Sequence, residues 1–288
     1  MEQFIIVDTR QNIDKIKAEL DNNSSNLIAG NIIFNISEDA EENLAYLLCA
    51  HPKDISAQFK RFIAEVIAGL IINNIEGLLA NSIFEQNYCF PVSEREDIFH
   101  EILQQTGERG KSRGYTFLYR MYRRRAVLNK LLDYLTTADM IIIKGFIRFR
   151  LKDYLNELAE IVDKAVDSYL LEKDYFEFIR LLRQITETND SKIDFIHVVF
   201  DQENIIKLFD KYGKAISSGL FEKAGSEQGQ EGVCYDDLLI NLLILLVPKK
   251  IMFHSCGNVR TASVQKMIRD IFNGQLKECT GCDLCLKI

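Results

Sequence analysis

The chain has 288 residues, 47% hydrophobic and 27% charged, with 15 glycines and 3 prolines, which excludes disordered, collagen-like and low-complexity classes. Its formal net charge of −7 excludes a uniformly basic, histone-like nucleic-acid binder but leaves room for a local basic patch. So few prolines favour long helices over a many-turned β-sandwich, and the length suits one or two domains of roughly 100–200 residues.

The start MEQFIIVDTR carries an acid at its second position and an apolar stretch only a strand long, unlike a secretory signal, so a cytoplasmic protein is expected. The aliphatic stretch Leu238 to Val247 is interrupted by Asn241 and falls short of the roughly 20 apolar residues that cross a bilayer. It reads as a buried helix, not a membrane span.

In chain order, Phe4 to Val7 reads as a strand, with Asp8 and Thr9 capping a helix over about Gln11 to Leu20. A polar turn at Asp21–Ser25 precedes a second β-like run, Leu27 to Ile36, after which Ser37, with Glu41 nearby, opens another helix. From about Ile55 to Phe84 apolar residues such as Phe62, Val66 and Leu70 recur at helical spacing, predicting one long buried helix despite Gly69 and Gly77. Ser93 starts a further helix through about Gln105, and Thr106 to Gly114 forms a polar, glycine-containing connector.

From Arg109 to Lys152 the composition changes: twelve basic residues stand against two acids, a net of +10 that leaves −17 on the remainder. Beyond it, Ile147, Leu151, Tyr154, Leu158, Ile161 and Ala165 describe one amphipathic helix running to about Thr186. Ile193 to Phe200 reads as a strand, and Asn204 to Ile216, interrupted at Asp210–Gly213, as further strand or a hairpin. Glu222 to Gly232 is polar and glycine-rich and reads as a mobile linker. A helix is expected from about Asp236 to Leu246, a strand over Lys250 to His254, and a helix over Ala262 to Phe272.

The tail Cys279-Thr-Gly-Cys282-Asp-Leu-Cys285 spaces three thiols at three-residue intervals, so that their sulfurs can turn inward on one ion or cluster. A fourth ligand must come from elsewhere, with Cys256 first and His254 second, because one strand and one short helix return the chain to the same neighbourhood. Gly281 permits the backbone turn that a metal knuckle needs. Zinc is favoured over an iron–sulfur cluster, while a regulatory CxxC disulfide and unligated thiols are the competing readings.

Arg120, Arg123 and Arg124 fall at i, i+3 and i+4, where like charges repel. Lys144, Arg148, Arg150 and Lys152 read as lying near the start of the long helix, where the macrodipole favours negative charge. Both placements call for a compensating anion. The acid-rich remainder of the chain is favoured ahead of a phosphate-bearing ligand or nucleic acid. Asp236 and Asp237 read as cap and first-turn acids, and His51, His100 and His197, lacking partners at metal spacing, as ordinary histidines.

The run IIIKGFIRFRLKDYLNELAEIVDKAVDSYLLEKDYFEFIRLLR (Ile141 to Arg183), CYDDLLINLLILLVPKKIMFH (Cys234 to His254) and the terminal CTGCDLC resemble the YtxC-like family of sporulation proteins of endospore-forming bacteria. The resemblance implies a cytosolic role connected with sporulation and carries no catalytic residues onto this chain.

The expected fold class is α+β, predominantly helical, with an N-terminal strand–helix unit, long central helices and a small C-terminal sheet with a cysteine-rich tail. Its expected regions are 1–106, a basic helical 107–190, and 191–288. The leading functional expectation is a non-enzymatic, metal-stabilised protein that docks on a protein partner. The alternatives are a nucleic-acid binder using the arginine-rich helix and an enzyme acting on an anionic, phosphorylated small molecule.

Overall fold

The computed structural model describes residues 2–27, 33–39, 44–51, 57–107, 115–200, 206–216, 235–255 and 262–282. The chain divides into two units, Met1–Leu170 and Leu171–Ile288. The boundary falls inside the long central helix.

The first unit opens with β1 (Glu2–Asp8) and α1 (Arg10–Leu27). Asp8 ends the strand by accepting from the Thr9 N–H at 2.7 Å and from the Asn12 amide at 3.1 Å, and the Thr9 carbonyl takes the first helical bond from Ile13. On α1, Ile13, Ile16 and Leu20 are buried, the stripe of an amphipathic helix.

β2 (Ile33–Asp39) and β3 (Leu44–His51) follow, so the segment expected to open a second helix after Ser37 is strand instead. Along β3 burial alternates, with Ala45, Leu47 and Cys49 inside and Leu44, Tyr46 and Leu48 half-buried, the period of two that a strand imposes. The sheet runs β2-β3-β1-β4, β3 antiparallel to both neighbours. Its last strand, β4 (Met140–Ile142), lies parallel to β1 and buries Ile141 alone, too short a pattern to read from sequence.

Helix α2 (Ala57–Leu70), a π-helical turn (Ile71–Ile75) and α3 (Glu76–Asn87) succeed one another without a gap, the long helix expected from periodicity. Phe59–Asn87 is long and apolar enough to cross a membrane by length and composition, yet 56% of its apolar window is buried inside the protein, as in a core helix. Helix α4 (Val92–Thr106) ends at Gly107, whose φ of 81° lets its N–H cap the carbonyls of Leu103 and Gln104, the left-handed cap that glycine adopts without strain. Helix α5 (Tyr115–Leu135) seats Val127, Leu131 and Leu135 in the core.

The expected single helix from Ile147 is two, α6 (Ile143–Arg150) and α7 (Lys152–Thr188). Leu151, at φ −105° and ψ 35°, leaves helical geometry between them, while its N–H still donates to the Ile147 carbonyl at 3.3 Å and its carbonyl accepts from the Leu155 N–H at 2.9 Å. Along the first half of α7, Leu158, Val162, Ala165 and Val166 join Ala80 and Phe84 of α3 and Ile98 and Ile102 of α4 in a second core cluster.

The second unit carries a sheet of order β6-β5-β7-β8, with β5 (Ile196–Phe200), β6 (Ile206–Asp210), β7 (Ile251–Ser255) and β8 (Leu276–Glu278). β6 is antiparallel to β5, while β5, β7 and β8 are parallel. Helices α8 (Tyr235–Leu246) and α9 (Ala262–Ile271) make the crossovers between the parallel strands, as such pairing requires. Ile196, Val198, Ile251 and Phe253 pack with Ile179 of α7, Leu239 and Leu243 of α8 and Ile268 of α9 in one core. His197, Val199, Met252 and His254 therefore fall on the opposite sheet face, because successive side chains alternate. The linker expected over Glu222 to Gly232 lies outside the described residues.

Candidate metal centre

His254, the fourth residue of β7, is 1% exposed. β8 runs alongside β7 with Phe253 opposite Glu278, and the Cys279 N–H extends that ladder by donating to the Phe253 carbonyl at 2.8 Å. Cys279 therefore emerges beside His254. The chain turns at Gly281, whose φ of 133° suits glycine, and its N–H points at the Cys279 sulfur at 3.4 Å. That turn returns Cys282 Sγ to 3.4 Å from His254 Nδ1.

One donor atom each from His254, Cys279 and Cys282 then lie within 4.8 Å of one another, a group that can hold a metal ion. Tetrahedral coordination with metal–sulfur and metal–nitrogen bonds of about 2.3 and 2.0 Å separates the two donors by about 3.5 Å, close to the observed spacing. The site lies at the carboxyl ends of parallel strands, where α/β sheets gather ligands because crossovers leave a crevice there. Of the five residues proposed from sequence, His254, Cys279 and Cys282 converge, while Cys256 and Cys285 lie outside the described residues.

The sequence reading missed His197. Its Nδ1 lies 2.8 Å from His254 Nε2, and its ring packs against Phe195 at 4.7 Å between centroids. Burial holds both imidazoles below their ordinary pKa, reinforced at His254 by the neighbouring His197 and opposed at His197 by Asp210. Both rings therefore favour the neutral form that binds metals. The available signal was alternation: His197 sits between the core residues Ile196 and Val198, which aims it at the face that His254 shares. Elsewhere, burial alone pushes the Cys49 thiol up to about 12, as for an inert core cysteine.

The basic residues divide. Arg123, 3% exposed, donates through Nε and Nη2 to the two Glu76 carboxylate oxygens at 3.1 and 2.9 Å and to the Thr106 carbonyl at 2.9 Å. The Tyr154 hydroxyl adds a bond to the same carboxylate at 2.8 Å; burial first, then Glu76, pushes its pKa far up. Arg120 donates to the carbonyls of Gly107 and Ile72 and to Asn73 Oδ1. Arg124, Lys144 and Lys152 are exposed.

Lys144, Arg148 and Arg150 belong to α6, and the last two lie in its final turn, where the dipole welcomes cations. The unfavourable placement expected for these residues does not arise for Arg148 and Arg150, but Lys144 lies in the first turn of α6 and Lys152 is the first residue of α7. Arg148 stacks over Phe149 and Arg150 over Tyr134, each at 5.7 Å. Lys130, Arg150 and Lys152 line a cavity of about 530 Å³, shared with Asp133 and Asp153, whose carboxylates offset two of the three cations.

The family model described as "YtxC-like family" matches residues 61–277, reaching back into α2, well before the runs that carry the resemblance in sequence. A curated relative, "Uncharacterized protein YtxC" of Bacillus subtilis (strain 168), is 24% identical over 147 residues, 49% of this chain and 50% of the relative. The chain thus spans about half the length of the curated relative it matches. No solved structure matches. With a family model covering most of its length, from the buried helix α2 to the strand that presents the cysteines, the chain belongs to the YtxC-like family.

Proposed function

We propose that this is a non-enzymatic, zinc-stabilised protein of the cytoplasm that docks on a protein partner. The observation that carries the metal reading is the meeting of His254 with Cys279 and Cys282 within 4.8 Å across 25 or more residues of sequence. Zinc fits a mixed nitrogen–sulfur set, whereas iron–sulfur clusters are held mostly by four thiolates. Cys256 follows His254 by two residues and Cys285 follows Cys282 by three, so either can supply a fourth donor. A closed four-donor centre is structural, clipping the end of the chain to β7. The connection with sporulation rests on the family resemblance.

Chelation of the full-length protein tests this reading. A metal bound by the native state alone stabilises it by mass action, so a strong chelator lowers the thermal midpoint and added zinc restores it. A midpoint indifferent to both contradicts a structural zinc.

The docking reading points to the first turns of α5, where Phe117, Leu118, Tyr119, Met121 and Tyr122 are 47–63% exposed beside the exposed Arg124 and Arg125. Nucleic acid is the second reading for this surface, favoured by aromatic rings alternating with guanidinium groups, the pairing that single strands use.

A further inference from the structure

A single donor atom of His254 enters the metal group, and the opposite ring nitrogen is also engaged, with His197. We propose that His254 holds the metal through Nδ1 and that His197 is a positioning residue that accepts the Nε2–H of His254, fixing the tautomer and the plane of the ligating ring. The proposal rests on the metal-centre reading and adds to it a direction and a second residue.

The geometry leaves little choice. His254 Nδ1 faces the Cys282 sulfur at 3.4 Å and Nε2 faces His197 Nδ1 at 2.8 Å, so the two nitrogens point to opposite sides of the ring. A neutral imidazole that binds through Nδ1 keeps its proton on Nε2, and His254 is 1% exposed. That N–H needs a protein acceptor, because an unmet buried donor is costly. His197 Nδ1 supplies it, which assigns the proton of His197 to its own Nε2.

The register fixes His197 for this task. Val199 is the residue directly opposite His254, while His197 stands opposite Met252. His197 therefore reaches diagonally along the shared face, its ring 5.0 Å from that of His254 between centroids. Phe195 braces its ring, with the planes inclined at 58°. Outer-shell acceptors of this kind orient a ligating histidine and raise its basicity.

The test uses the full chain in wild-type form and as His197→Leu, His197→Asn and His197→Gln, with zinc affinity measured by competition against a chromophoric chelator. His197→Leu removes the acceptor and lowers affinity about 10- to 100-fold. His197→Asn, whose side-chain oxygen falls near the place of Nδ1, recovers most of it, and His197→Gln does not. Should the Leu variant fail to fold, the contrast between Asn and Gln carries the same decision. Nitrogen-15 NMR of the zinc-loaded wild type shows His254 protonated on Nε2 and metal-bound on Nδ1. Wild-type affinity in the folded Leu variant, equal affinities for Asn and Gln, or metallation on Nε2 overturns the role of His197 while leaving the metal centre standing. A wild-type chain that binds no zinc overturns both.

Discussion

At the scale of single residues, the buried pair of Arg123 and Glu76 decides more than any surface charge. Removing one partner strands the other in a low-dielectric interior and costs about 3–5 kcal/mol, whereas replacing both with apolar residues of similar volume is often close to neutral. Arg123→Met is therefore expected to lower the urea midpoint sharply, and adding Glu76→Leu to recover a large part of the loss, though Tyr154 and the Thr106 carbonyl then lose a partner. A single variant as stable as wild type contradicts the buried network. Asp8 supplies a pH signal. Burial raises its carboxyl, against the lowering effects of the Thr9 N–H, the Asn12 amide and Lys144. A carboxyl whose folded pKa lies above its unfolded one makes a stability contribution that is full below the unfolded value and is lost as pH rises through the folded value. Asp8→Asn removes this loss, so stability relative to wild type increases from acid to neutral pH in urea titrations. A pH-independent difference contradicts the raised carboxyl.

Among the elements, long periodic helices and the strands β1, β5 and β7 were legible from sequence, whereas β3 and the three-residue strands were not. The 3.6-residue recurrence through Val66 and Leu70 reports a core helix because tertiary packing and local pattern agree there. Leu44–His51 misleads because Ser37 and Glu41 look like a helix start, while the decisive alternation through Ala45, Leu47 and Cys49 spans only a few residues. β4 and β8 have three residues each and exist through pairing with β1 and β7, a tertiary fact. The break at Leu151 also escaped the pattern, since an apolar residue fits the stripe on either side of it. For α5, the arginines share a face by spacing, but Arg120 and Arg123 are spent on internal acceptors. If the outer face binds single-stranded nucleic acid, log affinity falls linearly with log salt. Each phosphate-contacting residue of Arg124 and Arg125 changed to Gln lowers that slope by about one. Binding that is absent, or insensitive to salt, removes the nucleic-acid reading and leaves a protein partner.

For the whole molecule, the candidate metal group was legible where topology could be counted and illegible where it depended on register. A strand, one short helix and a return bring Cys279 and Cys282 back to His254, an inference that needs no coordinates. Of the fourth-ligand candidates, His254 sits within the converged group, and Cys256 lies outside the described residues. His197 enters from β5, more than 50 residues earlier, through a parallel pairing that spacing cannot reveal. The two units are differently equipped. The first has two apolar clusters and a buried ion pair; the second has one cluster, smaller than the larger of these, where an ion held by His254, Cys279 and Cys282 would tie β7 to the segment after β8. Metal analysis of the full chain, purified without an affinity tag, tests this account most directly. It predicts about one zinc per chain, lost in Cys282→Ser; a wild-type chain free of metal, or a variant that keeps its full complement, contradicts it.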